Sequence, residues 1–529
     1  MSNAKGLSHE LLLTGKMGRL TPLGLWPVLP GSHWIGRAFF EIQMQALLRP
    51  VMHNIVYTIH YWFVPIRLIW KDWENYITGG EDGQFTAVEP YIVTDGTNNG
   101  KSSLMEHFGR SGNAVSGLHL SAFGPRAYAL IYNKWYRNQN VADEIPISLE
   151  SGEDTTTSLD FLYRTWKPND YFTNALPFRQ RGEEVALPID AIGEVPVVGN
   201  GKSLGIIGKF KNGTPSDVYK GYLITHNDLG GTYQNENSLS VPNVPVGTEI
   251  TAGNPPLVPN TTLGVDTDKN FSGLVAKNEN GLYEVLISTL RQGLAKQHVM
   301  ERLAQSGGRY VEYLMSMFNV RSSDARLQRP EFLGGGSKPM VISKVLQTSA
   351  SDSTSPQANP AGYGQTMSIT PSFNKVFEEH GFIVPILSIM PQSTYCQGID
   401  KVMMPKTRWD WPLQEFARIG DQAIQNKELF VSGDSEVDNG IFGYTPRYEE
   451  FHKMPNRYIG EFLDTLDFWH LGRKFENTPS LSKEFCECHP DEQRIFAVEG
   501  QDNFLIQCYH ELNVHQPLPK VRRPGLSYV

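Results

Sequence analysis

The chain has 529 residues, of which 40% are hydrophobic, 11% aromatic and only 19% charged, and its formal net charge at pH 7 is −9. This length excludes a small single domain and favours several domains, or one domain with large insertions. The acidic balance excludes a protein that grips nucleic acid over its whole surface, and four cysteines are too few for a disulfide framework. Few charges and many aromatic residues favour extensive protein–protein contact, because interface cores are rich in Tyr, Trp and Phe.

Glycines and prolines interrupt residues 1–30 at short intervals. We expect an extended N-terminal arm without regular elements, ordered only where a partner holds it. The run Leu11–Leu13 is too short for a signal peptide, and no run of about 18 apolar residues predicts a membrane span. Because the sequence shows neither a signal peptide nor a disulfide framework, it predicts a chain made in a reducing cytoplasm.

Bulky side chains occupy both alternating faces of Val56–Phe63, which predicts a strand buried on both sides. Trp70, Trp73 and Ile77 have the spacing of a short amphipathic helix. Residues 127–135 fit a helix or a buried strand equally well, because periodicity does not decide between them.

The region 181–286 has few aromatic residues and many Gly, Pro, Val, Thr and Asn. This composition predicts a surface insertion of short hairpins and loops. After it, apolar residues at helical spacing predict a helix that ends at Gly307. A second helix is predicted over Tyr310–Phe318, ending near Asn319, before an irregular loop rich in arginine and glycine.

The rest of the chain is predicted to be mainly β. Met340–Leu346, Phe382–Met390 and Phe504–Leu512 have the composition of strands. Residues 347–364 form a low-complexity loop, and Phe416, Ile419 and Ala423 favour a helix over Trp411–Lys427.

Motifs of nucleotide-binding and catalytic proteins fail in their spacing or context. Gly100–Ser102 and Gly201–Ser203 read GKS, but the first glycine of a phosphate-binding loop would fall on Asp95 and Pro196. Gly201–Gly205 matches G-x-S-x-G, yet a nucleophile elbow requires a following helix, and none is predicted there. We therefore expect no catalytic residue and no enzymatic activity.

Two groups of cysteine and histidine residues could form a zinc site if they lay on adjacent strands, where residues i and i+2 share a face. The groups are Cys486, Cys488 and His489, and Cys508 and His510. Because C-x-C is not the usual spacing of a structural zinc site, reduced and unliganded cysteines are the main expectation, with zinc as the alternative. No metal and no cofactor are predicted.

A series of motifs carries a family resemblance. The most specific is Ser323–Glu331, which runs into Gly334–Ser337. Further motifs occur along the whole chain, at Phe63–Trp73, Asp170–Pro177, Glu379–Gly381, Gly420–Ala423, Phe442–Tyr444, Trp469–Leu471 and Pro524–Leu526. In this order they resemble the major capsid protein of microviruses, the small single-stranded-DNA bacteriophages, and specifically of their gokushovirus-like branch.

The resemblance implies a mainly β chain with a viral eight-stranded antiparallel jelly-roll barrel, long loop insertions and a few helices in the connections. With it we divide the chain into an N-terminal extended arm over 1–30, a shell domain over 31–180 and 287–529, and the insertion over 181–286. In the gokushovirus-like branch, such an insertion forms protrusions at the three-fold axes.

The same resemblance implies a structural protein of the virion. Copies would self-assemble, in the host bacterial cytoplasm, into a T=1 icosahedral shell around circular single-stranded DNA. A small basic DNA-binding protein and a minor pilot protein are implied partners, and 181–286 would contact a host-surface receptor. The alternative function is a β-rich glycan-binding surface protein, which loop richness and aromatic content favour.

Candidate site residues fall into two groups. Candidates for assembly or for locking loops are Arg326, Arg329, Trp70, Trp73, Tyr171 and Phe172. Candidates for facing DNA are the tail cations Lys520, Arg522 and Arg523, which are otherwise a solvated chain end.

Overall fold

The structure, a computed structural model, describes most of the chain. The described residues are 3–97, 100–109, 113, 115–166, 170–183, 185, 287–346, 360–404, 407–498 and 500–518, together with the strands between residues 190 and 284.

Strands make up most of the regular structure. Outside the insertion they are β1 (Asn3–Gly6), β2 (His9–Gly15), β3 (Thr21–Pro22), β4 (Trp26–Val28), β5 (His33–Met44), β6 (Ile55–Pro65), β7 (Tyr91–Asp95), β8 (Ser116–Ser121), β16 (Glu331–Pro339), β17 (Val341–Leu346), β18 (Pro360–Ile369), β19 (Phe373–Val376), β20 (Gly381–Pro391), β21 (Gln422–Gln425), β22 (Ile441–Thr445) and β23 (Phe504–Gln516). Inside it they are β9 (Asp190–Ala191), β10 (Val197–Gly199), β11 (Gly205–Phe210), β12 (Val218–Tyr222), β13 (Thr261–Val265), β14 (Leu274–Ala276) and β15 (Tyr283–Glu284).

Helices lie in the connections between strands. They are α1 (Trp73–Thr78), α2 (Phe123–Ile131, continued by a π-helical turn over Tyr132–Tyr136), α3 (Ile287–Ser306), α4 (Tyr310–Phe318), α5 (Asn426–Leu429), α6 (Ser435–Asp438) and α7 (Lys483–Cys486). Among the described residues, no helix is both long enough and apolar enough to cross a membrane.

Two antiparallel sheets form the barrel. In the first, the strands lie in the order β1–β23–β5–β18–β17, with β2 also paired to β23 and β19 to β5. In the second the order is β16–β6–β20–β3, with β4 also paired to β20. Each sheet contributes four strand positions to the barrel, which together make an eight-stranded jelly roll. In the first sheet these positions are β2, β23, β5 and β18. In the second sheet they are β3 with β4, β20, β6 and β16. The predicted fold class is confirmed.

The N-terminal segment differs from the arm without regular elements that its composition predicts. Strand β2 pairs with β23 along its whole length, from the pair His9–His510 to the pair Gly15–Phe504. Strands β3 and β4 pair with β20. Residues 9–28 therefore supply two of the eight barrel positions, and the partner that holds them is the same chain.

The main core lies between the two sheets. Inward side chains of β5 and β23, such as Trp34, Phe40 and Leu512, are buried, while the residues between them are more exposed. They pack against inward residues of the second sheet, including Tyr61 and Ile383. This alternation is what an antiparallel sheet with one covered face requires.

The second sheet is covered on both faces. Trp62 and Val64 point away from the main core and join a second core with α2, where Ala127 and Tyr128 are buried. Every residue of β6 except His60 is buried, which confirms the predicted two-sided strand. The part of the chain that contains the barrel thus has three layers, the first sheet, the second sheet and the α2 segment.

Two long connections carry the rest of the structure. The chain between β6 and β16 holds α1 to α4 and the strands β7 to β15, and the chain between β20 and β23 holds β21, β22 and α5 to α7. Two compact units result, one made of 1–183 and 298–529 and the other of 184–297. In the second unit, β11 pairs with both β12 and β13, while β10 pairs with β14 and β9 with β15.

Several predicted elements are confirmed. The helix pair after the insertion has its break at Gly307, at φ +104°, and its end at Asn319 in the left-handed region. The strands predicted over Met340–Leu346, Phe382–Met390 and Phe504–Leu512 correspond to β17, β20 and β23.

Other predicted elements are wrong. Residues 331–339, predicted as an irregular glycine-rich loop, form β16 and pair with β6. The helix predicted over Trp411–Lys427 is replaced by a short 3-10 turn, by β21 and by the start of α5. The predicted loop over 347–364 ends early, since β18 starts at Pro360. The region 127–135, left undecided, is helical.

Candidate assembly surfaces

Helix α4 presents apolar side chains to solvent. None of its residues is buried, and Tyr310 and Phe318 are 66% and 62% exposed. The helix is well formed, because the Glu312 carboxylate accepts a hydrogen bond from the Arg309 backbone N–H at 2.9 Å and Asn319 closes its C-terminus. An apolar helix that is ordered but unburied has the character of a contact surface.

The loop after α4 contains Arg326 and Arg329, the two arginines predicted to lock loops or to contact a neighbouring subunit, and their surroundings differ. Arg329 forms an ion pair with Asp324 at 2.6 Å, and its guanidinium lies 4.2 Å from the centre of the Trp135 ring. Trp135 in turn donates a hydrogen bond to the Pro330 carbonyl. Arg326 is exposed, and within the described part of the chain its guanidinium forms no ion pair.

The connection between β20 and β23 displays a second set of exposed apolar side chains. They are Met403, Trp409, Trp411, Ile419, Met454 and Ile459. Met454 and Ile459 are 85% and 80% exposed. Single exposed apolar residues need no explanation, but so many large ones on one connection indicate a covered surface.

This connection is held by a small core of its own, which includes the predicted residues Tyr171 and Phe172. Tyr171 donates a hydrogen bond to Glu428 at 3.0 Å, and the Lys401 ammonium pairs with the same carboxylate at 3.2 Å. Burial raises the pKa of Glu428, although Lys401 opposes this shift. Both aromatic side chains are buried within the subunit, so their contacts hold the connection in place.

Arg473 is the centre of the same core. Its guanidinium lies 4.1 Å from the centre of the Phe485 ring and donates hydrogen bonds to the Phe485 carbonyl and the Tyr395 hydroxyl. Tyr395 donates to the buried Asp170 carboxylate. A charge-assisted network of this kind fixes the geometry of the loops that carry the exposed apolar residues.

Trp70 and Trp73 brace the connection after β6. Trp70 is fully buried, and its indole N–H donates to the Ser151 hydroxyl at 2.8 Å. Trp73 is half-buried between Trp70, Tyr76 and the His380 ring. The short helix predicted to include Trp70, Trp73 and Ile77 is α1, which begins at Trp73. Trp70 lies just before this helix and packs on α2.

The outer face of the first sheet is a third exposed surface. It alternates apolar side chains, such as Leu12, Met367 and Tyr509, with polar ones, such as Glu41 and Gln507. Two shallow grooves of about 350 and 410 Å³ run between these rows. Among the described residues, no layer corresponding to the α2 segment covers this face.

A buried ion pair that the sequence does not reveal locks the connection after β6. Arg126 and Asp154 are both fully buried, with Nε and Oδ2 at 2.7 Å. Arg126 also donates to the carbonyls of Ile69 and Glu150, and Asp154 accepts from Thr157. An arginine within an apolar helical stretch is the one sequence signal that points to such a pair.

The cysteines and histidines lie apart in the fold. Cys486 packs in the core around Arg473, Cys488 packs beside Trp166, and Cys508 lies in the main core. Cys508 contacts His510 at 3.2 Å. Among the described residues, no group of three or more possible ligands is close enough to hold a metal ion.

The structure gives no evidence of a functional site at the G-x-S-x-G motif, and it does not describe the tail cations. Gly205–Phe210, after the G-x-S-x-G serine, is a strand, whereas a nucleophile elbow requires a helix there. Residues 201–204 and the tail cations Lys520, Arg522 and Arg523 lie outside the described residues.

Comparisons with known proteins agree with this architecture. The family model described as capsid protein (F protein) matches residues 3–526. Capsid protein VP1 of Bdellovibrio phage phiMH2K is 34% identical over 511 residues, which cover 92% of this chain and 88% of that protein. Capsid protein VP1 of Chlamydia phage 1 is 30% identical, with 99% and 95% covered, and that of Spiroplasma virus 4 is 28% identical, with the same coverage.

The resemblance to microvirus capsid proteins is therefore confirmed, and so is the structural role in the virion that it implies. The exposed apolar surfaces of the jelly roll are the contacts that a shell protein needs. This chain belongs to the capsid protein (F protein) family of bacteriophages and is a structural capsid protein.

Proposed function

We propose that copies of this chain assemble into a T=1 icosahedral shell that encloses circular single-stranded DNA. The observation that carries the proposal is the set of large apolar side chains that stand exposed on rigidly packed elements, above all on α4 and on the connection between β20 and β23. In a closed shell each subunit touches several neighbours, so individually modest contacts give a cooperative assembly.

The predicted assembly residues have different parts in this proposal. Tyr171, Phe172 and Trp70 are buried and would hold the contact loops in position from within the subunit. Arg329 would do the same for the loop after α4, through Asp324 and Trp135. Arg326, which is exposed, is the candidate for a contact with a neighbouring subunit.

The enclosed DNA must be neutralised mainly by another component. The chain has 56 acidic and 47 basic residues, so its own surface cannot balance the phosphates of a genome. We propose a small basic DNA-binding protein as that component and a minor pilot protein as a further partner. Lys520, Arg522 and Arg523 are the local cations that this chain would contribute.

The insertion 181–286 is proposed as the three-fold protrusion that contacts a host-surface receptor. Its support is a compact unit of short antiparallel strands, distinct from the unit that contains the barrel. Loops carried on such a unit can vary while the shell-forming surfaces stay constant. We propose no catalytic activity for the chain.

Cryo-electron microscopy of the expressed chain tests the shell. We expect closed particles with T=1 symmetry in which α4 and the β20–β23 connection lie at subunit contacts. A chain that stays monomeric under all conditions, or shells in which these surfaces face solvent, would contradict the proposal.

A further inference from the structure

A large cavity lies between the π-helical turn after α2, the junction of α3 and α4, and residues 445–453 of the β20–β23 connection, beside the buried side of two proposed assembly surfaces. Its volume is about 620 Å³, within the range of small-molecule sites. Its wall includes Arg137, Arg164, Trp166 and Thr173, together with the aromatic side chains of Trp62 and Tyr136. All of these residues belong to the same compact unit.

The cavity wall is electropositive in an acidic protein. Four cationic side chains and two carboxylates line it, so the wall has an excess of two formal positive charges. Arg309 is paired with Glu312 at 3.1 Å and Lys453 with Glu449 at 2.7 Å. Arg137 lies 3.8 Å from the Glu144 carboxylate, which is outside the wall, so among the described residues Arg164 is the wall cation without an acidic partner.

Arg164 is half-buried and differs from the fully buried arginines Arg19 and Arg126. Its Nη1 donates to the Ser388 hydroxyl at 2.8 Å, and its guanidinium lies 5.8 Å from the centre of the Tyr136 ring. Within the described residues no carboxylate lies within ion-pair distance of it, whereas Arg126 and Arg19 have Asp154 and Asp502. Burial lowers the pKa of Arg164. A half-buried cation without a counter-ion carries a desolvation cost, which an anionic ligand would offset.

Further polar atoms in the wall lack partners. Trp166 is 3% exposed, and among the described residues neither its indole N–H nor the Nε–H of Arg137 has a hydrogen-bond acceptor. Within the same part of the chain, the hydroxyls of Thr173 and Ser306 also lack a partner. Most buried polar groups in proteins are satisfied, so a cluster of unpaired donors around one cavity indicates a missing acceptor.

The donors sit on a rigid frame. The backbone N–H of Trp166 donates to the Cys486 carbonyl at 3.0 Å, and that of Cys488 donates to the Arg164 carbonyl at 2.9 Å. Arg164 and Trp166 are thus fixed on either side of Thr165, which forms a β-bridge with Glu487, and both line the cavity. Preorganised donors of this kind bind an anion without paying for rearrangement.

We propose that this cavity binds a phosphate-bearing ligand, with Arg164 as its ion-pair partner and the Trp166 indole N–H as a neutral donor. Phosphate offers several acceptor oxygens in different directions, which suits donors that approach from separate elements. Trp62 and Tyr136 line the same cavity, so a ring attached to the phosphate would meet aromatic side chains there. The ligand would be either a free nucleotide or one nucleotide unit of a single-stranded DNA, and the two share this chemistry.

Titration of the purified full chain tests the site. The probes are inorganic phosphate, deoxyadenosine monophosphate and a single-stranded oligonucleotide, each followed by calorimetry. We expect saturable binding of at least one probe, weakened at least about tenfold by Arg164→Met, because a charge-assisted hydrogen bond is lost. Trp166→Phe keeps the ring and removes the N–H, so it should weaken binding by a smaller factor.

Matched variants separate the site from general charge. Arg457→Met removes an exposed arginine outside the cavity and should leave binding unchanged. Arg164→Lys keeps the positive charge and should restore part of the affinity. If Arg164→Met does not fold, the Trp166→Phe titration decides the question.

The outcomes distinguish the ligand sources. Binding of phosphate or mononucleotide that depends on Arg164 supports a free nucleotide, and binding of the oligonucleotide alone with the same dependence supports a DNA strand. No saturable binding, or binding that Arg164→Met and Trp166→Phe leave unchanged, would overturn the proposal. A carboxylate of a neighbouring subunit seated on Arg164 in a shell map would also overturn it.

Discussion

At the scale of single residues, the pair Arg126–Asp154 is the strongest candidate for a residue on which folding depends. Burial raises the pKa of Asp154, but hydrogen bonds from Thr157 and the Arg126 guanidinium outweigh this and hold the pKa below its usual value. We expect Asp154→Ala to lower the free energy of unfolding by about 3–5 kcal/mol, because it leaves a buried arginine unpaired. Urea unfolding followed by circular dichroism measures this loss.

The control is the exposed pair of Lys71 and Glu150, in which the side chains are 51% and 67% exposed. Glu150→Ala should change the free energy of unfolding by about 1 kcal/mol or less, because solvent screens such a pair. Equal losses in the two variants would show that burial of Asp154 does not strengthen its pair.

The buried histidines give a second residue-scale prediction, on pH. Burial lowers the pKa of His107 to about 4, against about 6.5 in an unfolded chain. Between these values the unfolded state binds a proton that the folded state does not, so stability present above pH 6.5 is lost as the pH falls toward 4. We expect the loss due to this residue to reach about 3 kcal/mol at pH 4.

The measurement compares the unfolding free energy of the natural chain and of His107→Gln from pH 7 to pH 4. The variant should lose less stability on acidification, and the difference between the two chains isolates His107 from other titrating groups. His119→Gln, at an exposed position, is the control and should leave the pH profile unchanged. Identical profiles for His107→Gln and the natural chain would contradict the prediction.

At the scale of elements, α4 allows assembly to be separated from folding. Tyr310 and Phe318 are exposed, so replacing both with serine should leave the melting temperature of the subunit nearly unchanged. We expect the concentration needed for shell formation to rise at least about tenfold, because aromatic anchors dominate interface energies. Light scattering against subunit concentration measures this threshold.

The conservative pair Tyr310→Phe and Phe318→Tyr keeps the aromatic surface and serves as the control. It should assemble at the threshold of the natural chain. Normal assembly of the serine variant would show that α4 faces solvent in the shell.

Elements that local patterns define were predictable, and elements that distant partners define were not. The C-terminal ends of α3 and α4 follow from Gly307 and Asn319, which terminate helices by their own backbone conformation. Phe416, Ile419 and Ala423 share a helical spacing, but Ala423 lies in β21, whose partner β22 begins at Ile441. Pairing with a later strand overrides the local preference, and the periodicity of one segment does not contain that information.

The glycines of β16 illustrate the same limit. Gly335 has φ +155°, and a Cβ there would collide with the carbonyl oxygen of Ile59 on β6. The residues on β6 are bulky, so the close approach of the two strands requires glycine. In the sequence alone, three consecutive glycines indicate a loop, because the neighbouring strand that makes them necessary is about 270 residues earlier.

At the scale of the whole molecule, the insertion should be separable from the shell. Strands β12 and β13 both pair with β11, so replacing residues 223–260 with a short Gly–Ser linker preserves those pairings. We expect shells to form normally and adsorption to host cells to fall by about a hundredfold, since many copies act together. Adsorption assays and electron microscopy of the same particles measure both properties.

The control is a linker of the same composition and the natural length, which separates the effect of sequence from the effect of shortening. If the shortened chain forms no shells, the insertion is an assembly element and its attachment role is wrong.

The overall fold was predictable through the family resemblance, since motifs from Phe63 to Leu526 lie in the order of a microvirus capsid protein. The barrel strands within residues 9–28 were not predictable. Glycines and prolines between them make the segment resemble a loop, and the strands that pair with it, β20 and β23, lie far along the chain. The half-buried cation Arg164 could not be identified from the sequence, because its surroundings come from distant parts of the chain.

The position of β23 at the end of the chain has a consequence for synthesis. It pairs with β2 and with β5, so the first sheet is incomplete until residues 504–516 have left the ribosome. Until then the inward face of β5 lacks its neighbour, and the nascent chain exposes an unpaired, apolar edge. We therefore expect the barrel to close only after β23 has been synthesised, and contacts between residues so far apart in sequence favour slow folding. A chain that lacks β23 would leave β2 and β5 without the strand that lies between them, so we expect it not to form the closed barrel.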